Sequence, residues 1–287
     1  MAEPSRPIGV TGATGRLGGR IARRLAAAGT RQRLLVRDLR RAPQLPGASA
    51  VRAPYGDAAA VRAALTGIDT VLMVSASESA DRRQQHLAFV DAAAAAEVHH
   101  LVYISFSGAA PDATFTLARD HDATERRIRE SGLRFTFLRD NVYADFLPAL
   151  VGEDGVIRGP AGDGRVAAVA QEDIAEVAAA VLQHPADHAG ATYDLTGPQA
   201  LSLDEIAAIL TRVSGRVITY QEETLEEAYA SRASYGAPDW QVEAWVSTYL
   251  AIAAGELAGV TSAVPDLTGH PATSVEQLVA ADNSRSR

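Results

Sequence analysis

Val10-Thr-Gly12-Ala-Thr-Gly15-Arg-Leu-Gly18 is the stretch whose reading decides the fold. It follows a short apolar run, Ile8-Gly-Val-Thr11, and opens onto an amphipathic stretch, Arg16 to Ala28. In that stretch Leu17, Ile21, Leu25 and Ala28 share one helical face, Arg20, Arg23 and Arg24 take the other, and Gly29 stops it. A glycine triplet between a strand and a helix has a physical reading. Gly12 permits a tight turn, Gly15 lets backbone approach a pyrophosphate, and Gly18 lets the helix pack closely. The helix then presents free N–H groups and its positive dipole end to phosphate. Gly12, Ala13, Thr14, Gly15, Arg16 and Leu17 are therefore the candidate phosphate cradle.

Outward from this loop the chain alternates. Strands are expected at 33–37, 50–53, 70–74, 100–105 and 134–138, and helices at 58–65, 82–97 and 118–131. The run Thr70-Val-Leu-Met-Val74 is continuously apolar, as a strand buried on both faces should be. This rhythm predicts an α/β fold: a Rossmann-type parallel sheet with helices on both faces, binding its ligand at the carboxyl ends of the strands. Beyond residue 140 the rhythm loosens. Short strands at 156–157, 167–169, 192–195 and 217–220 mix with helices at 171–183, 203–213, 224–235 and 239–255. The expected domains are a dinucleotide-binding domain over 1–150, with parts of 165–200 returning to it, and a smaller, mostly C-terminal α/β lobe over 151–287 that takes the substrate. Residues 282–287 read as a frayed tail.

Composition narrows the chemistry. The 287 residues contain no Lys and no Cys, and Ala makes up about a fifth. Without Lys there is no Schiff base and no Walker-type phosphate loop. Without Cys there is no thiol nucleophile, disulfide or thiolate metal site, and no metal site is expected. The net charge is −8, yet residues 1–41 carry ten Arg against Glu3 and Asp38. The acidic total argues against nucleic-acid binding, whereas a basic segment beside a glycine loop suits a phosphorylated small ligand. The N-terminus shows no apolar signal region and no run approaches a membrane span, so a cytoplasmic protein without a membrane partner is expected. Monomer and homodimer both remain open.

Strand ends supply the other candidates. A ribose-binding acid, or an Arg for a 2′-phosphate, belongs at the end of the second strand. There Arg37 comes first and Asp38 second, with Arg40 and Arg41 following, which favours NADP(H) over NAD(H). Gly56 and Asp57 are placed to line adenine, Ser75 and Ser77 to line ribose and nicotinamide, and Ser105 and Asn141 close the rim; each is equally readable as a turn or cap residue. The acidic segment 222–256, with Trp240, Trp245 and Tyr249, reads as a lid, a packed core face or a partner surface.

Thr11-Gly-Ala-Thr-Gly-Arg-Leu-Gly18, Leu35-Val-Arg37, Gly56-Asp57, Ile104-Ser105, Leu138-Arg-Asp-Asn141, Gly159-Pro-Ala-Gly-Asp-Gly164 and Thr268-Gly-His-Pro-Ala-Thr273 together resemble the NmrA-like branch of the atypical short-chain dehydrogenase/reductases. The likeness is strongest to the NADPH-dependent quinone oxidoreductases and the triphenylmethane reductases of that branch, and it extends over nearly the whole chain. It implies an NADPH-dependent reductase of quinones or similar flat, electron-poor aromatic compounds. The regulator that gives the branch its name implies the rival: a non-catalytic redox sensor that binds a dinucleotide and a partner protein.

Typical members of the wider superfamily use Tyr-x-x-x-Lys on the helix after the fifth strand, with Lys lowering the Tyr pKa for proton transfer. Here Leu117 occupies the Tyr position and His121 the Lys position. His121 shares a face with Leu117 and Ile128, so it is expected to point toward the sheet, to hold nicotinamide ribose or to donate a proton. Tyr143, two residues past Asn141, is the second catalytic candidate. Each also reads as a packed structural residue. A ketone that accepts hydride becomes a basic alkoxide, whereas a reduced quinone is a much weaker base. The missing dyad therefore favours catalysis by positioning.

Overall fold

The structure, a computed structural model, describes residues 6–285. The reading of the N-terminus falls largely on residues 1–5, which lie outside the described residues, as do 286–287. The first alternation runs β1 (Ile8–Thr11), α1 (Arg16–Ala27), β2 (Gln32–Val36), β3 (Ala48–Arg52), α2 (Ala58–Leu65), β4 (Thr70–Val74), α3 (Arg82–Ala95), β5 (His100–Phe106), α4 (Thr116–Glu130), β6 (Arg134–Asp140). It continues with β7 (Val156–Gly159), β8 (Arg165–Val166), α5 (Gln171–Gln183), β9 (Thr192–Leu195), β10 (Leu201–Ser202) and α6 (Leu203–Ser214). The last elements are β11 (Thr219–Glu222), α7 (Leu225–Arg232), α8 (Asp239–Ala253), α9 (Ala263–Thr268) and α10 (Val275–Arg285).

A seven-stranded parallel sheet in the order β3-β2-β1-β4-β5-β6-β9 forms the centre. β1 pairs with β2 on one side and β4 on the other, both in parallel. The strand order thus reverses at β1/β4, and the glycine loop leaves the carboxyl end of β1 at that switch point. β1 is buried at all four positions, as a central strand covered on both faces must be. α1 buries Leu17, Ile21 and Leu25 and keeps Arg24 in its last turn, where a cation meets the negative end of the helix dipole.

The chain divides into two compact units. The first comprises Met1–Ser105, Asp120–Arg139 and Ile174–Tyr193; the second comprises Phe106–Arg119, Asp140–Asp173 and Asp194–Arg287. The core of the first gathers Leu65, Val71, Met73, Phe89, Tyr103 and Phe137. That of the second gathers Leu147, Ile157, Leu203, Ile206, Leu210 and Ile252. The second unit also carries the small pairs β8/β10, antiparallel, and β7/β11, parallel.

Three local expectations shift for identifiable reasons. The strand expected at 217–220 starts at Thr219, because both backbone groups of Ile218 bond to the Thr211 hydroxyl. The strand expected at 167–169 lies at Arg165–Val166, since the Ala167 amide donates to the Leu257 carbonyl and its carbonyl accepts from Gly197. Residues 282–285, expected to fray, continue α10, and Asn283 donates to the Val213 carbonyl.

Candidate functional site

The glycine loop has the shape its residues require. Gly12 sits at φ +67°, and a Cβ there would press on Val74 at 2.9 Å. The Gly15 amide closes the turn onto the Gly12 carbonyl at 2.9 Å. A Cβ on Gly18 would overlap the Gly12 carbonyl, so α1 packs against the loop itself. Gly15 caps α1 with no side-chain acceptor, and the first turn carries no acid, so its N–H groups face outward to an anion. This cradle fits a dinucleotide pyrophosphate: Gly12 and Gly18 leave no room for a Cβ, no side chain caps the start of α1, and the exposed Arg16 lies beside it. Behind it, the Thr11 hydroxyl accepts from the Val74 amide (2.9 Å) and meets the Tyr55 hydroxyl, which donates to the Val74 carbonyl (2.6 Å). Burial pushes the Tyr55 phenol far above its ordinary pKa, so it remains a neutral donor.

At the end of β2, Arg37 is exposed. Asp38 is turned onto its own 3-10 turn: it accepts from the Arg40 amide at 3.0 Å and from the Arg40 guanidinium at 3.1 Å. The Arg40 side chain, with its amide, holds the Asp38 carboxyl below its usual range. Asp57 caps α2 by accepting from the Ala60 amide at 3.0 Å, which is the cap role, while Gly56 is exposed beside it. Ser75 is half-buried and Ser77 exposed on the loop after β4.

That loop is fastened from below. The Ala76 amide donates to His86 Nε2 (2.9 Å), and Arg82 Nε donates to the Ala76 carbonyl (3.0 Å). Arg82 also reaches His121 Nε2 (2.8 Å) and the Asp120 carboxylate (3.3 Å). Since a guanidinium only donates, His121 Nε2 accepts, and Nδ1–H points to the Tyr103 hydroxyl 2.9 Å away. His86 accepts at Nε2, so its Nδ1–H donates to the Thr124 hydroxyl at 3.0 Å. Burial first, and the Arg82 charge second, drive the pKa values of both histidines well below normal, so both are neutral. The structure thus places His121 inside the first unit, facing the sheet, with both ring nitrogens engaged.

One turn further along α4 the solution differs. Glu125, almost fully buried, receives Arg139 through two nitrogens (2.7 and 2.8 Å), Arg129 (3.1 Å) and the Ser105 hydroxyl (2.6 Å). Ser105 is therefore bound to Glu125. In the second unit, buried Asn141 donates to the Leu257 carbonyl (3.0 Å) and accepts from the Val142 amide (2.7 Å), tying loops together. Tyr143 is half-buried, and its hydroxyl donates to the Asp140 carboxylate at 2.6 Å.

Residues 12–185 match a family model described as NAD(P)H-binding. The chain belongs to that family. Quinone oxidoreductase 2 of Escherichia coli is 34% identical over 280 residues, covering 95% of this chain and 97% of that protein. The solved structure of the Escherichia coli enzyme with NADPH superposes with a TM-score of 0.88 at 33% identity, covering 96% of this chain and 99% of that one. An NAD(P)H azoreductase of Xenophilus azovorans is also 34% identical, over 95% of this chain and 96% of its own length. The triphenylmethane reductase of Citrobacter sp. matches with a TM-score of 0.85 at 30% identity, over 97% and 99% of the two chains. This member of the NAD(P)H-binding family is an oxidoreductase enzyme. Among the described residues no helix is long and apolar enough to cross a membrane.

Tyr55, Arg82, His86 and Tyr103 are not among the site residues expected from the sequence. They come from three separate stretches of chain, and only the meeting of α3 and α4 with β5 brings Arg82, His86 and Tyr103 together. One signal was available: His86 and Arg82 sit four residues apart, at i and i+4, on a single helix.

Proposed function

We propose that this family member transfers hydride from NADPH to a quinone or a similar flat, electron-poor acceptor without a Tyr–Lys dyad. The observation that carries the reading is the state of His121, at the dyad's Lys position: neutral, buried and bonded at both nitrogens. With no ammonium there to lower a phenol's pKa, the acceptor must need little acid assistance. A quinone meets that condition, since hydride and one solvent proton convert it to a hydroquinone.

In this reading the glycine loop, with Ala13, Thr14, Arg16 and Leu17, holds the pyrophosphate. Gly56 and Asp57 border the adenine by their backbone, and Ser75 and Ser77 the ribose and nicotinamide. Arg37 holds the 2′-phosphate; support comes from its exposure and from Asp38 being committed to Arg40. The bound cofactor supplies the hydride. His121, with Arg82 and Tyr103, is a positioning residue for the loop above it, and Ser105 acts through Glu125. Asn141 shapes the acceptor side, and Tyr143 is the hydroxyl there that can donate to a reduced acceptor oxygen when it turns away from Asp140. The rival sensor reading draws support only from the absent dyad.

The test is NADPH oxidation by the full chain with a panel of benzoquinones, naphthoquinones, ketones and aldehydes. Quinone turnover well above background with inert ketones is expected. Faster ketone than quinone reduction, or cofactor binding without any turnover, overturns the reading. Arg37→Ala is expected to weaken NADPH binding by about 10- to 100-fold, the worth of one charge-assisted phosphate contact, and to leave NADH unchanged.

A further inference from the structure

The second unit contains a cavity of ≈ 750 Å³ that the cofactor assignments do not use. Its size is ordinary for a small-molecule site. Its walls are mainly apolar and aromatic: Phe146 from the 3-10 turn after β6, Tyr235 after α7, and Trp245 and Tyr249 from α8. Two of these rings are held in place. Tyr249 packs where a Cβ on Gly159 would stand, and the Arg232 guanidinium lies over its ring at 5.0 Å. Trp245 meets Tyr235 edge-to-face at 5.9 Å. An aromatic surround of this kind suits a flat ring system.

The charge of the lining is one-sided. Among the described residues, Arg158 and Arg232 are the charged side chains of the lining, and no carboxylate belongs to it. The acids that balance them, Asp154 at 2.7 Å from Arg158 and Glu223 at 2.8 Å from Arg232, do not belong to the lining. Arg232 also donates to the Arg158 carbonyl at 3.0 Å, so the two arginines neighbour each other. Residues 202–287 carry five Arg against twelve acids, which makes two arginines and no acid at a cavity there a departure from the surrounding composition.

We propose that this cavity binds flat aromatic compounds carrying an anionic substituent, with the rings between the aromatic walls and the anion at Arg158 and Arg232. Resting on the hydride-transfer reading above, its physiological occupant is an anionic quinone acceptor. Hydride from the cofactor and a proton from solvent convert that quinone to its hydroquinone, and the anionic group is left unchanged.

The experiment separates binding from turnover. Isothermal titration of the full chain compares naphthalene-2-sulfonate with naphthalene-2-sulfonamide, a pair of nearly equal shape in which neither accepts hydride. The sulfonate is expected to bind about tenfold more tightly, the worth of one exposed charge-assisted contact. Arg158→Gln is expected to erase that preference and Arg158→Lys to keep most of it. Arg158 is a third exposed, so its replacement leaves the core intact. Equal affinity of the two probes, or a preference untouched by Arg158→Gln, overturns the proposal whatever the turnover data say. In parallel, 1,2-naphthoquinone-4-sulfonate is expected to show a higher kcat/KM than 1,2-naphthoquinone, and to lose the advantage in Arg158→Gln. An Arg158-dependent sulfonate preference without reduction of any quinone overturns the acceptor assignment and the hydride-transfer reading, while the anion site stands.

Discussion

The glycine loop of the first unit and the cavity of the second are built by opposite means. The loop is nine consecutive residues shaped by three glycines, and in the proposed reading its backbone N–H groups meet the ligand. The cavity is enclosed by side chains from several elements spread between Val142 and Ile252, and it is the filled positions that give it character. A site made of backbone tolerates no added atom. A site made of side chains absorbs changes by repacking and alters its selectivity instead.

The sharpest way to break that contrast is Gly18→Ala. The new Cβ would overlap the Gly12 carbonyl and press on the Thr11 carbonyl, so a loss of about 2–4 kcal/mol in unfolding free energy is expected, at the upper end for overpacking because backbone must move. Cofactor affinity should fall at least 100-fold, measured by titration with NADPH. A variant with wild-type Tm and affinity would falsify the claim that the loop depends on bare backbone.

A second effect, set by pH, comes from three buried histidines: His86 and His121 in the polar network beneath the loop after β4, and His100 at the start of β5, paired with Thr136. His86 and His121 are neutral when folded, and burial, with Arg134 and His188 adding to it, brings His100 down to about 4. Each titrates near 6.5 when unfolded, so below that pH the unfolded chain takes up protons that the folded chain refuses. Stability is fully present above pH 6.5 and is lost as pH falls toward 4, by at most about 1.4 kcal/mol per histidine per pH unit. Urea unfolding at pH 7.5, 6.0 and 5.0 checks this. A flat profile would mean that the histidines accept protons without cost and that the network is loose.

The smallest effect belongs to the cavity. Phe146→Leu, at a side chain already 44% exposed, should change stability by less than about 0.5 kcal/mol. It should nevertheless raise KM for the larger acceptors, read from initial rates across the quinone panel. A stability loss as large as that of Gly18→Ala would erase the distinction between the two regions.

Much of the first unit was legible in the chain. Helix 58–65 and strand 70–74 fall where the periodicity put them, because both are bounded by strong punctuation: Gly56-Asp57 before and Thr66-Gly67 between. Asp57 illustrates the limit. Its position after β3 was visible, yet whether its carboxylate caps α2 or meets a ligand depends on the loop's geometry. The division of the chain shows the same limit. The sequence suggests a boundary near residue 150 with parts of 165–200 returning to the first domain; by contacts Ile174–Tyr193 counts with the first unit, and Phe106–Arg119 and Asp140–Asp173 with the second. Compactness depends on contacts far apart in sequence, which no local pattern reports.

The sequence by itself determined the parallel α/β order, the glycine loop and the exclusion of any lysine-based proton relay. These follow from periodicity, glycine stereochemistry and composition, all local or global counts. The tertiary structure alone decided the protonation of His121, the partners of Ser105 and Glu125, and the two-arginine lining of the cavity. Those depend on which charges and donors lie within about 3 Å in a medium of low dielectric, and that is set by packing between distant segments.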